Sequence, residues 1–168
     1  MSKVLVVYGT TSGCTEGIAA QIGKTLEEMG AAVDVVSAKG APNAAGYDAV
    51  LVGSGVRAGS WHKSARDWVA DNADALKSTP VAFFTCGLVI RDEGKAEEVR
   101  AYTKPVEEVS GVTPVDVGLF AGWNEPKQMS FPERTVLKVM KAPKGDFRDF
   151  EAVKAWTKEV ARKLRIAG

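Results

Sequence analysis

Apolar and polar positions along this 168-residue chain alternate between two kinds of pattern. Five short runs are rich in β-branched and apolar residues: Lys3–Tyr8, Ala32–Val36, Asp48–Ser54, Pro80–Cys86 and Val115–Ala121. Runs of this length, bounded by glycine and other turn residues, read as strands, buried where both faces are apolar. Between them the spacing changes to that of a helix. Cys14, Ile18, Ile22, Leu26 and Met29 lie on one helical face, with Gly30 as the natural C-cap. A second helix is predicted from about Trp61 to Leu76, with Ala65, Trp68, Val69, Ala73 and Leu76 inward. Glu93 to Val109 reads as a mostly polar helix interrupted by Pro105. The last helix runs from Phe147 or Arg148 to Leu164, with Phe150, Val153, Trp156, Val160 and Leu164 on one side.

Strands that alternate with helices in this way demand a parallel sheet covered on both faces. With right-handed crossovers, the economical solution is an α/β doubly wound five-stranded sheet of order 2-1-3-4-5. A ligand then belongs at the carboxyl ends of strands one and three. Residues 1–168 read as one domain with an insert at about 122–145. The insert includes Trp123-Asn124-Glu125-Pro126 and a short helical pattern, Glu133 to Lys141. A connection of that length is either functional or mobile, or a packing extension.

Composition adds exclusions. The chain is 45% hydrophobic and 26% charged, with a net charge of +1, which argues against nucleic acid as a partner. From Pro126 onward there are eleven basic and five acidic residues, so the C-terminal part suits an acidic partner, peripheral contact with an anionic membrane, or simply solvent. The two cysteines, Cys14 and Cys86, are far apart in sequence and suit a reducing, cytoplasmic setting. One histidine and no cysteine cluster leave no metal motif. No N-terminal signal or long apolar run is evident.

The first turn carries the most chemistry. Gly9-Thr10-Thr11-Ser12-Gly13-Cys14-Thr15 joins the first strand to the first helix. It offers four hydroxyls and the unsatisfied N–H groups of a helix start, a suitable nest for an anion. It has no Lys or Arg and matches neither G-x-x-x-x-G-K-[ST] nor G-x-G-x-x-G. A terminal phosphate fits such a neutral nest; an ordinary βα turn is the bland alternative. Two further loops should lie beside it: Ser54-Gly55-Val56-Arg57-Ala58-Gly59-Ser60-Trp61-His62, and Thr85-Cys86-Gly87-Leu88-Val89-Ile90.

At these residues the chain resembles the flavodoxins. Thr10-x-Ser12-Gly13-x-Thr15 matches their [ST]-x-[ST]-G-x-T phosphate loop, and the resemblance runs along nearly the whole chain. Within that superfamily it is most similar to the branch containing the menaquinone-dependent protoporphyrinogen oxidases. The stretches that carry this are Val52 to Ser64, the insert ending in Glu133 to Lys141, and Gly145-Asp146-Phe147-Arg148-Asp149. The resemblance implies FMN as cofactor, its phosphate held by Thr10, Thr11, Ser12, Gly13, Cys14 and Thr15. It implies that Ser54, Gly55, Val56, Arg57, Ala58 and Gly59 line the isoalloxazine, with the backbone near Ala58-Gly59 at flavin N5. Trp61 would stack on the ring or cover its edge, or else pack in the core. Thr85, Cys86, Gly87 and Leu88 would flank the other side; flavodoxins often place a Tyr there, and this chain has Leu88.

Arg57 and His62 would place cations beside the ring and make its potential less negative, or else point into solvent. Cys14 and Cys86 are either small packing residues or redox-active thiols. No residue is singled out as a catalytic acid or base.

The leading expectation is an electron carrier cycling FMN through semiquinone and hydroquinone, with a ferredoxin, a reductase or an acceptor enzyme as redox partner. The alternative is a quinone-linked oxidoreductase such as a menaquinone-dependent protoporphyrinogen oxidase. A nicotinamide-binding module is suggested only by Gly53-x-Gly55-x-x-Ala58, without a following acidic residue for a ribose. A response-regulator-like module lacks its acidic cluster.

Overall fold

The computed structural model describes residues 2–10, 13–57, 60–87, 101–121, 123–124, 145–146 and 148–166. β1 (Lys3–Gly9) leads into α1 (Cys14–Glu28), β2 (Ala32–Ser37) and β3 (Ala49–Arg57). A two-residue β4 (Ser60–Trp61) precedes α2 (Lys63–Asp71) and α3 (Ala73–Lys77). Then come β5 (Val81–Gly87), α4 (Lys104–Ser110), β6 (Val117–Ala121), the short strands β7 (Trp123–Asn124) and β8 (Gly145–Asp146), and α5 (Phe150–Lys163).

The central strands run parallel in the order β2-β1-β3-β5-β6, which is the expected 2-1-3-4-5 once the β4 hairpin partner is set aside. Alternation along each strand sorts side chains between two cores. Val4 and Val6 of β1, Leu51 of β3 and Phe84 of β5 pack under α1 and α5 with Ile18, Ile22, Leu26, Val153 and Val160. Leu5 and Val7, Val52 and Phe83 face the other way, against Trp68 and Val69 of α2, Leu76 of α3 and Val106 of α4. All these side chains are buried, which is why the strands read as continuous apolar runs.

Local chemistry moves several boundaries. The predicted second helix is two helices, because the Asn72 carboxamide donates to Trp68 O and accepts from the Ala44 N–H, ending α2. Its start shifts from Trp61 to Lys63, because Trp61 pairs with Val56 in a hairpin. Pro105 does not interrupt a helix. It occupies the first turn of α4, where the missing N–H costs nothing. The part of that predicted helix before Ala101 lies outside the described residues. α5 begins at Phe150 because the Asp149 carboxylate accepts from the Ala152 N–H at 3.1 Å.

Of the insert, only its two ends are described. Trp123 pairs with Asp146 and Asn124 with Gly145, antiparallel, so the segment between them leaves and returns through a neck. The helical pattern at Glu133 to Lys141 lies outside the described residues.

Candidate functional site

Strand register brings the three loops to one edge. Gly9 lies opposite Ser54, and Ser54 opposite Thr85, so the carboxyl ends of β1, β3 and β5 form one row. A Cβ at Gly9 would sit 2.8 Å from Ser64 Oγ and 2.9 Å from Ala65 Cβ. A glycine at that position therefore lets the start of α2 close over the end of β1.

Beyond Gly9 the chain forms a cradle. The Gly13 N–H donates to Thr10 Oγ1 at 3.1 Å, and Gly13 takes φ 85, a left-handed conformation that an L side chain strains to adopt. That turn opens α1, with no side-chain cap on its N-terminus. Thr15 Oγ1 is fully buried and, apart from its interaction with the Cys86 thiol, has no hydrogen-bond partner. A buried hydroxyl with only a thiol beside it is poorly satisfied, which is what a donor kept for a ligand oxygen looks like before the ligand arrives. Thr10, Gly13, Cys14 and Thr15 thus fit a phosphate; Thr11 and Ser12 lie outside the described residues.

The sequence turn has no cation, yet the fold supplies one. Arg148, just before α5, lies with Nη1 3.5 Å from Cys14 O and its guanidinium over the Phe150 ring. A Cβ at Gly17 would collide with that guanidinium. Arg148 therefore lies against the first turn of α1 although it is 134 positions from Cys14. Its only signal in the sequence was membership of the Gly145-to-Asp149 stretch.

The second loop is a hairpin. Ser54 Oγ donates to Gly55 O and accepts from the His62 N–H at 2.7 Å, so this buried hydroxyl fixes the return of the chain. Arg57 pairs with Ser60 across positions 58 and 59. Ala58, Gly59 and the Arg57 side chain lie outside the described residues. The Gly53-x-Gly55 pair falls inside β3, not at a strand-to-helix turn, which removes the dinucleotide reading.

Trp61 follows its core alternative. It is 2% exposed, its indole N–H donates to Thr85 Oγ1 at 2.9 Å, and it meets Phe83 edge-on at 5.1 Å. A ring so enclosed packs beneath the loop that follows β3. His62 is half-buried and does not simply face solvent. As N-cap of α2, its Nδ1 accepts from the Ser64 N–H at 3.2 Å and lies 2.7 Å from Ser64 Oγ.

In the third loop Thr85 and Cys86 are buried and Gly87 is half-buried; Leu88 lies outside the described residues. Cys14 and Cys86, distant in sequence, meet at 3.0 Å between sulfurs. Burial and the hydrogen bond to Cys14 hold the Cys86 thiol well above its ordinary range, with the Cys14 bond the larger cause. Thr15 and the Arg148 charge act the other way. Among the described residues no group of three metal-ligating side chains occurs, and no helix is long and apolar enough to cross a membrane.

Comparison with known proteins agrees with this geometry. The family model described as the flavodoxin domain matches residues 5–151. The protoporphyrinogen IX dehydrogenase (quinone) of Escherichia coli K12 is 27% identical, over 95% of this chain and 94% of the relative. That of Leishmania major is 28% identical, over 95% of this chain and 74% of the relative. Among solved structures, oxidised flavodoxin 2 from Bacillus cereus superposes with a TM-score of 0.64 at 22% identity, covering 96% of this chain and 99% of that one. Two-electron-reduced Megasphaera elsdenii flavodoxin gives 0.58 at 23% identity, covering 92% and 98%. At those identities the structural likeness speaks for the fold, and the family match for kinship. The chain belongs to the flavodoxin-domain family, with FMN as its cofactor.

Proposed function

We propose that this flavodoxin domain is an FMN-dependent oxidoreductase that passes electrons to a quinone, with protoporphyrinogen IX as its substrate. The observation that carries this reading is where the insert departs. Ala121 lies level with Gly87 across β5 and β6, so the insert leaves the sheet one strand away from the third flavin loop, on the same edge. Its neck returns directly before Arg148, the cation beside the first turn of α1. Both ends of the insert thus meet the edge at which a substrate would approach. The similarity to the two dehydrogenases spans 95% of this chain and supports the same reading.

The cofactor supplies the redox chemistry when bound. The residues of this chain bind and orient it: Thr15 and the α1 amides at the phosphate, Ser54 and Trp61 beneath the second loop. A flavodoxin-type carrier is the second reading. It is favoured by the engagement of Ser54, Thr85 and Trp61 in internal hydrogen bonds, which leaves these side chains positioning the site and not exchanging protons with a substrate.

The experiment is anaerobic oxidation of protoporphyrinogen IX with a menaquinone analogue, followed by porphyrin fluorescence. It compares the FMN-loaded protein with a variant in which residues 125–144 are replaced by a short turn between the neck strands. The proposal expects turnover in the first, and loss of turnover with retained FMN in the second. Rapid reduction by a ferredoxin or reductase without quinone turnover would instead establish the carrier.

A further inference from the structure

Cys14 and Cys86 are the only cysteines in the chain, and the fold sets their sulfurs 3.0 Å apart inside the site. A disulfide needs about 2.05 Å, so closure asks for a movement of roughly 1 Å. The two sulfurs belong to different parts of the flavin site. Cys14 is the first residue of α1, inside the phosphate cradle, and Cys86 lies in β5 at the start of the third loop. We propose that Cys14 and Cys86 are a peroxide-sensitive dithiol, whose oxidation to an intrachain disulfide pulls the phosphate cradle toward β5 and loosens FMN.

The two sulfurs have unequal roles. Cys14 is 7% exposed and Cys86 2%, so Cys14 is the less enclosed of the two. Cys14 also stands at a helix N-terminus, with the Arg148 guanidinium near its carbonyl. Cys86, buried and held as a thiol by its bond to Cys14, keeps its proton longer. Cys14 sulfur attacks one oxygen of hydrogen peroxide; the O–O bond breaks, hydroxide leaves and is protonated to water, and Cys14 becomes a sulfenic acid. Cys86 sulfur then attacks Cys14 sulfur; the S–O bond breaks, and the Cys86 proton leaves with that hydroxide as a second water. Two thiols have lost two electrons, and one peroxide has gained them. A cytosolic disulfide of this kind is reversible and sensing in character, unlike a structural staple.

The fold gives the disulfide something to act on. The α1 N-terminus and Thr15 move with Cys14, and a cradle of directed donors loses affinity when displaced by about 1 Å. The test exposes reduced apoprotein to a small molar excess of hydrogen peroxide, alkylates with N-ethylmaleimide in denaturant and reads the intact mass. The expected product is lighter by about 2 Da, carries no alkyl group and reverts with dithiothreitol. Cys14→Ser and Cys86→Ser should each fail to give that product. Wild-type protein that remains doubly alkylated, or gains about 16 or 32 Da without cross-linking, overturns the dithiol. Titration of FMN fluorescence quenching into oxidised and reduced apoprotein should show affinity falling at least about five-fold on oxidation. Equal affinities would overturn the coupling to the cradle. The thiol measurement uses neither substrate nor quinone, so it stands apart from the proposed activity.

Discussion

The Trp61 indole N–H donates to Thr85 Oγ1 at 2.9 Å, with both residues buried. This bond ties the hairpin after β3 to the strand that carries the third loop. Thr85→Val keeps the shape but leaves a buried donor without a partner, a loss of about 1–3 kcal/mol. Urea unfolding of the apoprotein should show it as a lower midpoint at unchanged slope. Trp61→Phe with Thr85→Val should recover part of the loss, because the orphaned donor is then gone.

Thr15 predicts the opposite balance. Its hydroxyl is buried with only the Cys86 thiol to interact with, so Thr15→Val removes an existing cost. Apoprotein stability should hold or rise. FMN affinity should fall by roughly 10- to 100-fold, as expected for one hydrogen bond to a charged phosphate. Fluorescence-quenching titration and urea unfolding on the same preparation check both halves. A parallel loss of stability would show that Thr15 is a packing residue instead.

Arg148 stands at the N-terminal turn of α1, where the helix already presents positive partial charge. Two positive features side by side suit an anion between them. Arg148→Gln should weaken FMN by roughly five- to ten-fold at low salt. The salt dependence of FMN binding should flatten in the variant, because the screened charge is the one removed. Riboflavin, which lacks the phosphate, should bind wild type and variant alike.

Alkaline pH should destabilise the reduced protein. The Cys86 thiol is raised in the fold above its ordinary value near 9.0, by its bond to Cys14 and by burial. Below that value both folded and unfolded chains hold the proton, and the contribution to stability is full. As pH rises through it, the unfolded chain gives up its proton first, and stability falls until the folded thiol also ionises. Tyr8, raised mainly by burial and also by Glu16, and Tyr47, raised mainly by its bond to Asp34, act with the same sign from their ordinary value of 10.0. Unfolding midpoints measured with a reductant present should decline above about pH 9, and Cys86→Ala should flatten the first part of that decline.

Much of the architecture was legible because it rests on periodicity. Val4 to Val7 are apolar at every position, and the structure uses both parities, one for each core. Strand order followed from the alternation of strands and helices. Boundaries were less legible where a side chain replaces a backbone partner. Asn72 ends α2 by bonding Trp68 and Ala44, and the Ala44 half of that comes from 28 positions away. Pro105 reads as a break because sequence alone does not say whether a proline stands in a helix's middle or in its first turn.

For the site, the chain's own order of residues determined the loop of hydroxyls and glycines from Thr10 to Thr15, since a strand, a tight turn and a helix start are all local. Tertiary structure alone decided which distant groups join it. Arg148 reaches Cys14 across 134 positions, and Cys86 reaches it across 72. The same holds for Trp61, whose apolar ring and polar N–H suited a flavin face as well as a core. The position of Thr85 on the neighbouring strand settled its place. Backbone periodicity is a property of neighbours along the chain, whereas charge, thiol pairing and burial depend on which strands lie side by side, and only the closed sheet provides that.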